Sequence, residues 1–114
     1  MQSKILRFTK GWRQAIKNNY AQAAEMVIVP GDAEGGPSNK HKGADQWLFV
    51  VDGIGTATVN GRKRPLKQGV LLLIDRRDRH EIRNTGKKLL RTLNLYVPPA
   101  FKAHGARLPA GKSR

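Results

Sequence analysis

At 114 residues the chain has room for one hydrophobic core, because two would each be too small to fold comfortably. Hydrophobic residues make up 39% and charged residues 26%, which excludes wholesale disorder, and the lack of cysteine removes disulfides, thiolate metal sites and thiol nucleophiles together. The net charge of +14 is concentrated at the ends: residues 1–20 hold five bases, residues 101–114 hold four, and neither segment holds an acid.

Read in chain order, short strand-like runs alternate with turn signals, and no long segment keeps a 3.6-residue apolar period. Residues 12–17 form the first predicted strand, with Asn18-Asn19 as its turn. A second strand spans 20–29 and stops at Pro30-Gly31. The stretch 31–37, rich in Gly, Asp and Pro, reads as a loop. Apolar and aromatic residues 46–51 follow, closed by Asp52-Gly53, and 54–59 alternates with the β-formers Thr56 and Thr58. Asn60-Gly61 is the strongest hairpin signal, because both residues tolerate the positive φ of a type I′ turn. Strands over 62–66, 70–74, 80–84 and 89–97 complete the set, and Pro98-Pro99 ends the last of them. Many short strands at this spacing predict a β-sandwich or barrel with very little helix. Residues 20–97 are its expected core within a single domain over 1–100, and 101–114 is expected to be a flexible basic tail.

The N-terminal residues lack the apolar run of a signal peptide, and no stretch approaches the roughly 20 apolar residues of a membrane span. A soluble cytoplasmic protein is expected, without membrane contact. The basic ends are either a solubility feature or a loose polyanion contact. Their bases are not interleaved with an aromatic platform, so nucleic acid is not the expected partner.

Two stretches carry a family resemblance. Gly69, then Asp75 after five residues, Arg77 after one, His80 after two and Asn84 after three follow the spacing of the second cupin motif. That motif usually has Pro at the position of Asp75 and Gly at that of Arg77, whereas Gly69, His80 and Asn84 match. His41, then Gln46 after four residues and Gly53 after six, resembles the first cupin motif with Gln in place of its Glu. The family's first histidine then falls on Asn39 and its leading glycine on Ala33. Fifteen residues separate Gly53 from Gly69, the short spacing of small microbial cupins. The chain thus resembles a small single-domain cupin over about residues 20–100. The resemblance implies an all-β, jelly-roll-like barrel of two antiparallel sheets around one pocket.

Strand parity is compatible with the site this resemblance implies. Asn39 and His41 are two apart; Gln46, Leu48 and Val50 share one face, as do His80, Ile82 and Asn84. If those faces turn inward, Asn39, His41, Gln46 and His80 converge as ligands of a divalent transition metal, Zn, Ni, Mn, Fe or Cu. The family's usual set is three histidines and a glutamate; here two neutral amides replace two ligands, which lowers the expected affinity. Some small cupins acting on sugar acids nevertheless carry Gln at this position and bind metal. Parity sends Asp45 to the opposite face, and Asn84 matches a position that is more often structural than catalytic.

Arg76, Arg77 and Arg79 lie in the loop before His80, which borders the barrel mouth in cupins. They could grip an anionic ligand bidentately, or pair internally with Asp75 and Asp78. Trp47, Phe49 and Val51 form the other face of the Gln46 strand and could pack on a second layer, an N-terminal strand or the partner of a homodimer. No nucleophile motif and no general base stands out; Tyr96 and Asn94 share a face whose direction parity leaves open.

Three functions stay open at this point. One is a metal-dependent isomerase, lyase or dioxygenase acting on a small anion such as a sugar acid. The others are a metal-free small-molecule binding module and a basic polyanion-binding accessory protein.

Overall fold

The computed structural model describes residues 1–36 and 43–102, and within them every regular element is a β-strand. The order is β1 Gly11–Lys17, β2 Gln22–Ile28, β3 Ala33–Gly35, β4 Asp45–Asp52, β5 Gly55–Val59, β6 Arg62–Leu66, β7 Leu71–Ile74, β8 His80–Asn84 and β9 Leu90–Val97. A five-stranded sheet runs β1-β2-β9-β4-β7 and a four-stranded sheet runs β3-β8-β5-β6; all the pairings are antiparallel. This is the expected two-sheet jelly-roll barrel.

Alternation decides which side chains meet between the sheets. Along β4 the burial of Gln46, Leu48 and Val50 alternates with the exposure of Trp47 and Phe49. On β9, Leu90, Thr92, Asn94 and Tyr96 are buried in the same rhythm. The apolar core joins Met26, Ile28, Leu48, Val50 and Leu90 of one sheet to Ala57, Leu66 and Ile82 of the other. A second cluster closes one end, where Trp12 and Phe101 pack on Tyr96 with ring centroids 6.4 and 4.9 Å from it. Gln22 anchors that end: its Oε1 accepts from the backbone N–H groups of Ala100 and Phe101.

The turns explain most boundaries. Asn18 Oδ1 accepts from the N–H groups of Tyr20 and Ala21, an Asx-type turn that delays β2 to Gln22. Asn60 and Gly61 have φ of 51° and 80°, so the predicted hairpin turn is present and fixes Val59 opposite Arg62. One expectation is corrected. The stretch 31–37, read as a loop, contains β3, which pairs with β8 through Ala33 and Arg83, Glu34 and Ile82, Gly35 and Glu81. Three residues are too short to show alternation, and flanking backbone bonds help to hold the segment: Gly31 N–H to Asn84 O and Gly36 N–H to His80 O, both 3.1 Å. Among the described residues no helix is long and apolar enough to cross a membrane.

Candidate functional site

Two members of the set picked out in the sequence are buried on the inner faces of the barrel. Gln46 is 2% exposed on β4 and His80 is 4% exposed on β8, on opposite sheets. Asn39 and His41 lie outside the described residues, as does most of the expected tail. Among the described residues no three His, Cys, Asp or Glu side chains gather as a metal cluster. The direction left open for Asn94 and Tyr96 is inward, since both are buried and pair in register with Leu48 and Gln46.

Donor and acceptor chemistry fixes how Gln46 is oriented. The Met26 carbonyl can only accept, so the Thr92 hydroxyl donates to it at 2.7 Å. With its proton so used, Thr92 Oγ1 accepts from Asn94 Nδ2 at 2.9 Å. Asn94 therefore turns its oxygen toward Gln46, whose Nε2 donates to it at 2.8 Å. One end of the Gln46 amide is thereby committed as a donor, and Oε1, the atom able to coordinate a cation, is presented elsewhere. On the facing sheet, His80 Nδ1 stands 3.5 Å from the Asp78 carbonyl. A buried imidazole and an oriented amide oxygen are a donor set suited to a divalent transition metal.

Asn84 has the structural role expected of it. Its Nδ2 donates to the carbonyls of Ile28 and Lys88 at 2.7 and 2.8 Å, and its Oδ1 accepts from Gly86 N–H. It ties β8 to the end of β2 and to the turn before β9.

The arginine loop divides. Arg76 pairs across the sheet edge with Asp45, its Nε 3.3 Å from Oδ1 and its backbone N–H 2.8 Å from the same oxygen. Asp45 thus sits on the face away from Gln46, as parity required, and its partner is not one of the loop's own aspartates. Of those, Asp78 accepts from Asp75 N–H and Asn60 Nδ2. Arg77 and Arg79 are exposed. Arg77 has φ of 74°, in the left-handed region, which is the physical reason for glycine at this motif position. Arg77→Gly should therefore raise stability by about 0.5–1 kcal/mol, the relief of strain being partly offset by a more flexible unfolded chain. Urea midpoints would read it, and an unchanged or lower midpoint would count against the strain.

The hydrogen bonds from Arg76 hold the Asp45 carboxyl below its ordinary range. A depressed carboxyl contributes stability above its unfolded value and loses it as pH falls through the lowered one. Asp45→Asn should cost up to about 1 kcal/mol at neutral pH, as for a largely exposed pair. The gap to the wild type should close in acid below the usual aspartate range. A gap that stays constant with pH would exclude this origin.

Comparison with known proteins agrees with the architecture. Residues 24–96 match the family profile described as "Cupin domain". The chain belongs to the cupin family. An oxalate-binding protein of Thermotoga maritima is 29% identical over 85 residues, 75% of this chain and 69% of that protein. A crystal structure from the same organism, of a predicted oxalate decarboxylase, is 31% identical with a TM-score of 0.64, covering 69% of this chain and 68% of that one. The structure of BH2720 from Bacillus halodurans superposes with a TM-score of 0.74 at 25% identity, over 90% of this chain and 76% of that one.

Within this cupin, sequence reasoning missed Thr92, which orients the amide pair from two residues away on β9. The signal was available: Thr92, Asn94 and Tyr96 share parity on a strand with apolar ends.

Proposed function

We propose that this cupin binds a small anionic organic molecule in its barrel, on a divalent metal held by His80 and Gln46 together with His41 and Asn39. The observation that carries the reading is the bonded chain from Met26 through Thr92 and Asn94 to Gln46, buried beside the apolar cluster of Met26, Leu48 and Val50. Buried polar groups cost stability unless they are bonded, and packing alone does not call for three of them in a row. Their shared effect is to orient one amide oxygen, and orientation of a ligand atom is what a metal site requires. When bound, such a metal would act as a Lewis acid on a carbonyl or enediol oxygen of the ligand.

The relative named for oxalate binding supports an anion as the ligand class. With Arg76 committed to Asp45, the exposed Arg77 and Arg79 are the loop arginines left to orient that anion. Isomerase, lyase or dioxygenase chemistry is the active branch of this reading, and simple ligand binding is the other. Titration of Zn, Ni, Mn, Fe and Cu ions into untagged protein and into His80→Ala tests it. Uptake of one ion per chain, reduced at least tenfold by His80→Ala, is expected. A wild-type chain that takes up none of these metals would leave the metal-free binding module as the reading.

The outer face of the five-stranded sheet supports a homodimer. Trp47 pairs across the strands with Leu73 and Leu95, Phe49 with Leu71 and Leu93, and Asp45 with Val97. Trp47, Phe49, Leu71, Leu73, Leu95 and Val97 are all at least 37% exposed, so the apolar surface is continuous over three strands. A patch of that kind on a small chain is a contact surface. A Trp47→Glu, Leu73→Glu double variant should sediment as a monomer where the wild type sediments as a dimer. A wild-type monomer at high micromolar concentration would reject the dimer.

A further inference from the structure

The register of β6 puts two arginines where a barrel strand ordinarily places apolar residues. Leu66 pairs with Gly55, Arg64 with Ala57 and Arg62 with Val59, while Asn84, Ile82 and His80 pair with the same three residues from the other side. Side chains paired across a sheet share a face, so Arg62 and Arg64 stand on the face that carries His80, Ile82 and Leu66, and at this open edge both arginines are exposed to solvent. Lys63, between them, takes the opposite face. Because β6 and β7 are the terminal strands of different sheets, no strand pairing closes the seam between them. A cavity of about 450 Å³ occupies this seam, lined by Val59, Asn60, Arg62, Arg64, Leu72 and Leu73.

No carboxylate lines the cavity, and neither arginine takes part in an ion pair among the described residues. Arg64 Nη1 donates to the Lys63 carbonyl at 3.0 Å, a local bond that brings no counter-charge. Each guanidinium presents a planar fork that fits one carboxylate bidentately. Two residues apart on an extended strand, the forks start about 7 Å apart. That spacing suits two carboxylates at the ends of a short chain rather than one compact oxyanion. Val59 and Leu72 supply apolar walls for the methylenes between them.

We propose that the seam between β6 and β7 binds a short aliphatic dicarboxylate, with Arg62 and Arg64 each holding one carboxylate. The site needs neither the metal nor His80. It goes beyond the barrel reading above and stands or falls separately from it.

Charge on an edge strand also deters strand-to-strand aggregation, and inward-pointing charges are one device for that. On β6, Lys63 and Pro65 already serve that purpose, and the edge role predicts no dependence on ligand.

Calorimetric titration of succinate into the full chain at low ionic strength separates these possibilities, with inorganic phosphate as the comparison anion. With metal stripped from the protein by a chelator, so that the barrel holds no cation, wild type and His80→Ala should bind succinate alike, and phosphate at least tenfold more weakly. Arg62→Gln and Arg64→Gln should each weaken succinate about tenfold, and Arg64→Lys, which keeps the charge without the fork, should fall between. Lys63→Gln removes the same charge from the other face and should change binding by less than twofold. Thermal melts of each variant show that the chain is folded. Equal losses in Lys63→Gln and Arg62→Gln would overturn the site in favour of general charge. Loss in His80→Ala alone would overturn it in favour of the barrel. Phosphate binding as tight as succinate, aggregation of the arginine variants with succinate binding intact, or no succinate binding by the wild type would each overturn it as well.

Discussion

Gln46→Glu should bind a divalent metal about tenfold more tightly than the wild type and, metal-free, should be less stable by about 2 kcal/mol. Both effects follow from the bonded chain behind Gln46. A glutamate cannot donate, so its oxygen would face the Asn94 oxygen that now accepts from Gln46 Nε2. Turning Asn94 over would repair that contact but would set its oxygen against Thr92 Oγ1, whose proton is given to Met26. Either Met26 loses its donor or two oxygens abut, and burying a carboxylate in place of a neutral amide adds a desolvation cost. A bound cation offsets that cost, so the same substitution that weakens the empty barrel strengthens its hold on metal. Thr92→Val acts on the opposite end of the chain. It removes the acceptor that fixes Asn94, and should weaken metal about tenfold without adding charge. Urea melts with and without metal, joined to metal titrations, would test both. A Gln46→Glu variant as stable as wild type would mean that Gln46 is not held as described. A less stable variant with no gain in metal affinity would remove the metal from the reading and leave the orientation intact.

What the sequence made legible follows from parity and turn chemistry. A strict two-residue alternation divides Gln46 and Leu48 from Trp47 and Phe49 on β4, and Asn94 from Leu95 on β9, but which face of β9 turns inward is set only by its pairing with β4. Asn60-Gly61 announces the hairpin because its dihedrals are written into the residue types. With that two-residue turn, the pairing of Val59 with Arg62 was also within reach, and with it the face that Arg62 and Arg64 share with Leu66. The choice between an aspartate nearby in sequence and Asp45, a residue from another strand, cannot be read from local spacing, because Arg76 meets Asp45 only after β4 and β7 have paired. β3 was illegible for a related reason: three residues without apolar alternation become a strand only when β8 offers its edge. The chain of polar groups behind Gln46 joins β2, β9 and β4, so its bond directions exist only in the assembled sheet.

The motif glycines permit a sharper test of how backbone geometry holds the site's walls. Gly53 and Gly69 have nearly the same φ, +101° and +94°, so an alanine at either meets a similar conformational penalty. Their surroundings differ. A Cβ on Gly53 would lie 2.6 Å from the Leu89 carbonyl oxygen and 2.8 Å from Leu90 Cα, whereas one on Gly69 would meet nothing within 4 Å. Both obstacles at Gly53 are backbone atoms where the chain enters β9, so no rotamer change relieves them. Moving them would disturb Leu90, which is fully buried, and the pairing of β9 with β2 that begins there. Gly69→Ala should therefore cost about 1–2 kcal/mol, the left-handed penalty alone. Gly53→Ala should add the steric term and lose about 3 kcal/mol or more, enough to leave a small domain largely unfolded at moderate temperature. Chemical denaturation of the two variants side by side isolates the contact from the conformation. Equal losses would mean that the approach of β9 to Gly53 is soft, and a Gly53→Ala chain as stable as wild type would contradict the close packing at this corner of the barrel.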